Sequence, residues 1–190
     1  MTKRGKLKIV ITVFSVAVLI VTVVFAKRII DRKILYPLEY EDIIAKYSAM
    51  YGVEEELICA VINTESHFDS DAVSAAGAIG LMQITPETFT WLQTKDDTEE
   101  FLEIIDLYDP EVNIKYGTLL LSLNIAEYGN LQTAIASYNA GRGKVSAWLT
   151  DKKYSSDSRT LTLIPYEETR IYVEKVNQSY EVYKDRLGKE

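Results

Sequence analysis

From Ile9 to Ala26 the chain runs for eighteen residues without one charged side chain, and no other stretch limits its possible folds so sharply. As a helix this run is about 27 Å long, close to the hydrocarbon thickness of a bilayer. Lys3, Arg4, Lys6 and Lys8 precede it, and positive charge clustered on one flank favours the cytoplasmic side for that flank. Lys27 and Arg28 follow and weaken the bias without reversing it. A cleaved signal is the alternative, because Val24-Phe25-Ala26 loosely resembles a cleavage site, but the run is longer than a usual signal core. The expectation is a basic cytoplasmic tail at 1–8 and one N-terminal transmembrane helix at 9–26. Everything beyond it would then lie on the extracytoplasmic side of the cell membrane.

Roughly 160 residues remain, enough for one domain with a substantial core. The whole chain has 21 basic and 28 acidic residues, and four of the basic ones precede residue 9, leaving 17 against 28, or −11, for the rest. That balance argues against a nucleic-acid partner. A lone cysteine, Cys59, excludes an intrachain disulfide, so packing must hold the domain together. One histidine and one cysteine do not make an ordinary zinc site, and neither a metal nor a cofactor is expected.

The rest of the chain reads as helices separated by punctuation. Residues 27–37 form a stalk closing at Tyr36-Pro37, and residues 38–190 form the domain. A helix over about 38–50 stops at Gly52, and a second occupies 54–66. Thr85-Pro86 and Asp109-Pro110 each combine a capping oxygen with proline in the first turn, which starts a helix; the second of these runs to Gly129. A polar stretch at 94–100 reads as a loop. Residues 131–138 and 142–149 are short helices on either side of Asn139-Ala140-Gly141. Residues 150–163 lack a period and are expected to be a mobile loop. The last helix begins after Pro165, with Tyr172, Val176, Tyr180, Tyr183 and Leu187 along one face. Without any run of alternating strands, the fold class is all-α.

Glu65 is the candidate for chemistry. Ile58, Val61, Ile62 and Glu65 follow one another at helical spacing, so the carboxyl continues an apolar stripe. It also falls in the last turn, where the helix's negative end disfavours an ionised acid. Both effects raise a carboxyl pKa, although an exposed glutamate at a fraying helix end fits the spacing equally well. After it comes a glycine-punctuated loop with a hydroxyl and an amide, Ser74-Ala75-Ala76-Gly77 and then Gly80-Leu81-Met82-Gln83-Ile84-Thr85-Pro86. A protonated carboxyl with polar neighbours is what cleavage of a sugar bond needs.

These blocks resemble the lytic transglycosylases of the soluble Slt type, which have a goose-lysozyme-like helical domain, over about residues 40–185. The pattern Glu-Ser, Ser-x-x-Gly and Gly-Leu-Met-Gln-Ile-x-Pro stands here as Glu65-Ser66, Ser74–Gly77 and Gly80–Pro86. Three further blocks follow in order: Asp109-Pro110-Glu111-Val112-Asn113-Ile114, then Ala136-Ser137-Tyr138-Asn139-Ala140-Gly141, then Ile164-Pro165-Tyr166-Glu167-Glu168-Thr169-Arg170-Ile171-Tyr172-Val173. Ser137 departs from the family's usual alanine, and residues 92–107 match poorly.

The resemblance implies that Glu65 is the sole catalytic acid/base in cleaving peptidoglycan glycan strands, between N-acetylmuramic acid and N-acetylglucosamine, with a 1,6-anhydro product. It implies substrate contacts for Ser74, Met82, Gln83, Tyr138, Asn139, Glu168 and Tyr172. Each has a plainer alternative: Ser74 as a turn cap, Gln83 as loop scaffold, Met82 and Tyr172 as core. Asp109 and Asn113 read as a cap and a structural hydrogen-bonding residue, and His67 as exposed. Gly141-Arg142-Gly143-Lys144 lacks the spacing of a phosphate-binding loop. Two other functions remain open at this level, a muramidase that uses water and a wall-binding or assembly protein that does not cut.

Overall fold

The computed structural model describes residues 3–96 and 102–188; the side chains of residues 3–13, 28 and 30–32 lie outside that description. The chain divides into two compact units, Met1–Leu38 and Glu39–Glu190. The first contains helix α1, Lys3–Ile30, which passes into one wider helical turn at Asp31–Leu35. Phe14, Leu19, Val21 and Phe25 are among its exposed apolar side chains. Among the described residues no helix is long and apolar enough to cross a membrane. Met1 and Thr2 of the expected basic tail lie outside them, as do the side chains of the rest of that tail and of the start of the 9–26 run.

The second unit is helical, and among its described residues the only strand-like pairings are isolated bridges, Val73 with Ile79 and Ile79 with Ile84. Its helices are α2 (Glu41–Tyr51), α3 (Glu55–Glu65), α4 (Pro86–Gln93), α5 (Pro110–Tyr128), α6 (Leu131–Ala140), α7 (Arg142–Thr150) and α8 (Glu167–Leu187). The punctuation acts as its chemistry requires. Thr85 accepts from the Thr88 N–H, Asp109 from the N–H groups of Glu111 and Val112, and Asn130 from Thr133. Gly52 and Gly129 close α2 and α5 in the left-handed conformation that glycine tolerates best.

Helix α3 is the centre of the core. Six consecutive residues, Leu57 to Ile62, are at most 3% exposed, so this helix is enclosed on all sides and not only along a stripe. It packs most extensively on α8, while α5 packs on α6 and α2. From α8, Tyr172, Val176, Ser179 and Tyr183 are buried. The sequence stripe included Tyr180 as well, but the structure gives Tyr180 a hydroxyl bond to Glu54 at the surface.

One element was not foreseen, and one expectation changes. A short 3₁₀ helix, Ile104–Tyr108, leads into α5 and buries Leu107, with Glu103 and Asp106 capping it reciprocally. Residues 150–163, expected to be a mobile loop, begin with the last residue of α7 and are tied down at several points beyond it. Asp157 accepts from the backbone of Arg159 and Thr160, the Leu161 N–H donates to Thr133 Oγ1 at 3.1 Å, and Leu161 is buried. The missing periodicity reflects turns closed by side chains, which carry no helical or strand signal.

Candidate active site

Glu65 is the last residue of α3, where that helix leaves the core, and it is half-buried. Burial pushes its carboxyl up to about 7, against a smaller downward pull from the Tyr172 hydroxyl. That hydroxyl donates to Glu65 Oε1 at 2.7 Å. With Oε1 engaged as an acceptor, the acidic proton belongs on Oε2. Among the described residues no second carboxyl contributes to the shift. The fraying, freely solvated glutamate is therefore not what the fold builds. Nearby charge also raises the phenols of Tyr138 and Tyr172 well above their ordinary range, burial being the larger cause and Glu65 the next.

The loop after α3 is fixed by hydrogen bonds to consecutive backbone groups. Ser66 Oγ donates to the Leu81 carbonyl at 2.8 Å, and Tyr138 donates to the Met82 carbonyl at 2.8 Å. The Met82 N–H donates to Asn113 Oδ1 at 2.7 Å, while Asn113 Nδ2 donates to the carbonyls of Ile79 and Leu107. Asn113 is 1% exposed, so one buried amide in α5 holds both the loop and the 3₁₀ turn. Gly80 lies in the left-handed region with Asn113 and the Leu107 carbonyl against it, leaving no room for a Cβ.

The side chains expected at the site fall into distinct places. Tyr172 touches Glu65 directly. Tyr138 sits beside it electrostatically and braces the loop. Asn139 and Glu168 line a depression of about 480 Å³ together with Tyr172, Thr64, Glu167, Ile171 and Lys175. Gln83 adopts a left-handed backbone, and its Nε2 donates to the Ala72 and Gly80 carbonyls, the scaffold alternative; its side-chain oxygen is not used in those bonds. Ser74 is exposed, and its Oγ accepts from the Ala78 N–H at 3.0 Å, so it caps the turn while keeping its own proton.

Met82 requires a correction. Its side chain is 0% exposed and fills the space opposite Gly117, so the thioether is core and not cleft wall. The part of Met82 that serves the site is its backbone. Asp109 and Asn113 have the capping and scaffolding roles read from the sequence, and His67 is exposed. The sequence reading missed the bond from Ser66 to Leu81 and the places of Thr64, Ile171 and Lys175 along the depression. For the last two a signal existed, since Glu168, Ile171, Tyr172 and Lys175 share one helical face.

A helical domain whose central helix delivers one half-buried carboxyl of raised pKa to a hydrogen-bonded loop has a lysozyme-like architecture. The Transglycosylase SLT domain family matches residues 42–161, and the chain belongs to that family. The soluble lytic murein transglycosylase of Salmonella typhimurium is 33% identical over 150 residues, covering 78% of this chain and 23% of that protein. The membrane-bound lytic murein transglycosylase C of Yersinia pestis is 33% identical over 168 residues, covering 77% and 47%. Among solved structures, an inactive glutamate-to-glutamine mutant of the lytic transglycosylase Slt from Pseudomonas aeruginosa superposes with a TM-score of 0.72 at 32% identity, covering 84% of this chain and 26% of that one. The chain spans less than half the length of each of these relatives.

Proposed function

We propose that this protein is a peptidoglycan lytic transglycosylase in which Glu65 is the only acid/base. The observation that carries the reading is a carboxyl held protonated near neutral pH by burial, with one phenol as its hydrogen-bonding partner. In the proposed reaction Glu65 gives its proton to the glycosidic oxygen between N-acetylmuramic acid and N-acetylglucosamine. The bond from that oxygen to the muramic anomeric carbon breaks, its electron pair staying on the departing sugar, and an oxocarbenium-like centre forms. The Glu65 carboxylate then takes the proton of the muramic 6-hydroxyl as that oxygen bonds to the anomeric carbon. The acid is regenerated, no water is consumed, and a 1,6-anhydro end results. The Ser74 hydroxyl, the Gln83 side-chain oxygen, Tyr138, Asn139, Glu168 and Tyr172 would contact or frame the sugars.

Residues 9–26 are proposed as the anchor that tethers residues 38–190, through a stalk at 27–37, to the outer face of the cell membrane. The uncharged run with its preceding basic cluster supports this, as does the kinship with a relative named as membrane-bound. Digestion of purified glycan strands followed by mass analysis of the new ends tests the chemistry. Ends lighter by one water than the reducing sugar are expected, and Glu65→Gln should slow turnover at least about a hundredfold. Reducing ends alone would mark a muramidase, and undiminished turnover in the variant would remove Glu65 from the reaction.

A further inference from the structure

Helix α5 carries an asparagine whose amide no described protein group satisfies. Asn124 is 0% exposed, and neither its Oδ1 nor its Nδ2 has a hydrogen-bond partner among the described residues. Tyr51, Asn63 and Thr118 each leave one buried atom unpartnered, whereas Asn124 leaves both ends of a fully enclosed amide. Burying such a group without partners costs more than a typical hydrogen bond returns. Where the protein offers no partner, bound water is the usual one.

The surroundings of Asn124 fit that ligand. Gly129 and Asn130 alone join α5 to α6, which makes the two helices an antiparallel pair, and they pack on each other. Asn124 lies five residues before Gly129, about 8 Å along α5, and Ser137 lies seven residues after Asn130, about 10 Å along α6. The two are therefore at nearly the same height. Tyr128 stands one turn after Asn124 on the same face, and a helical side chain leans toward the N-terminus of its own helix. Its hydroxyl accordingly reaches Ser137, which is 2% exposed, and accepts from Ser137 Oγ at 3.4 Å. That is long for a hydroxyl pair, so both groups keep capacity for a further bond. Ser137 is also where this chain replaces the family's usual alanine with a hydroxyl. The buried side chains of Leu120 and Leu121, on the turn before Asn124, offer nothing polar.

We propose that Asn124, Tyr128 and Ser137 enclose a water-binding site between α5 and α6, and that the fold retains at least one water there. Water both donates and accepts, so it serves the Oδ1 and Nδ2 of the amide and the two hydroxyls together, which no single protein group here does. Tyr138 and Asn139 follow Ser137 directly. The water thus braces, from behind, the helix that brings them to the cleft. The site stands whether or not the protein cuts glycan.

Magnetic relaxation dispersion of the solvent, which counts long-lived internal waters, tests the site in the full-length protein in detergent. Asn124→Leu, close in volume and unable to hold water, should have at least one fewer than the wild type. Ser137→Ala restores the family's residue, and should let the retained water exchange about fivefold faster, the worth of one hydrogen bond. Thermal unfolding adds a double-mutant cycle. Ser137→Ala should lower the melting temperature by about 2–4 °C in the wild type and by less than about 1 °C in Asn124→Leu, because the shared water is already gone. If Asn124→Leu does not fold, the exchange rate in Ser137→Ala carries the test. A water count unchanged by Asn124→Leu, or an exchange rate unchanged by Ser137→Ala, overturns the site. Coupled melting temperatures with an unchanged count overturn it too, since the amide then bonds directly to a protein group.

Discussion

A carboxyl that keeps its proton in the native state makes the fold less stable when that proton is lost, and Glu65→Gln measures this directly. The side chain goes from an ordinary value of 4.5 to about 7 on folding. Between these values native Glu65 holds a proton that the unfolded chain has released, so stability falls as pH rises through the window. At ~1.4 kcal/mol per pKa unit the full loss is about 3 kcal/mol, complete above the native value. Because Glu65 is only half-buried, solvent screening reduces this, and about 1–3 kcal/mol is the working range. Glutamine has nearly the same shape, cannot ionise, and still offers Tyr172 an oxygen to donate to. The variant should therefore match the wild type at pH 4 and exceed it at pH 8, by about 3–10 °C in melting temperature for a domain this size. Thermal unfolding of both proteins at pH 4, 6 and 8 supplies the comparison. A difference independent of pH, or a variant less stable than wild type at pH 8, would refute the claim that burial holds the proton on Glu65.

Tyr172→Phe removes the one interaction that lowers the Glu65 pKa, so the alkaline limb of the pH–rate profile should move upward; a downward move would contradict the hydrogen-bond assignment. Asn113→Ala leaves the Met82 N–H and the Ile79 and Leu107 carbonyls without their buried partner, which should cost about 3 kcal/mol in urea unfolding and depress kcat together with it. Gly77 and Gly80 both have φ of +77°, but only Gly80 is crowded. Gly77→Ala should cost about 1 kcal/mol from backbone strain alone, and Gly80→Ala at least twice that, as read by thermal unfolding; equal costs would show that the loop yields instead of clashing.

The helices were legible because their ends are written in residues with a local job: Thr85-Pro86, Asp109-Pro110, Gly52 and Gly129 each act within one turn of where they stand. Glu65 was legible as a continuation of α3's apolar spacing, and Tyr172 was drawn to the same cleft by the family blocks, not by periodicity. What escaped depends on contacts far apart in sequence. Ser66 reaches Leu81 and Leu161 reaches Thr133 through bonds that leave no repeating pattern. Met82 was misplaced for a related reason. A motif position marks a residue without saying whether its side chain or its backbone is used, and here Gly117 admits the thioether into the core while the carbonyl remains at the site. The tied-down segment at 151–163 shows the same limit, since side-chain-capped turns look aperiodic whether they are fixed or free.

A site with two carboxyls can assign donor and acceptor to different groups and push their pKa values apart. One carboxyl that must do both faces a conflict: too high a pKa leaves the anion scarce or the acid weak, and too low a value leaves the proton absent. Burial alone pulls Glu65 toward the first failure, and Tyr172 pulls it back, with the net value near neutrality. The phenol at 2.7 Å is thus the counterweight that the proposed single-acid reaction requires, because it bonds most strongly to the carboxylate, the form that must persist until the 6-hydroxyl proton is collected. It follows that Glu65 in Tyr172→Phe should still protonate the leaving oxygen but recover its proton poorly, and kcat should fall even at pH values where the carboxyl is fully protonated. A kcat recovering fully at low pH would confine Tyr172 to setting the pKa and remove it from the second proton transfer.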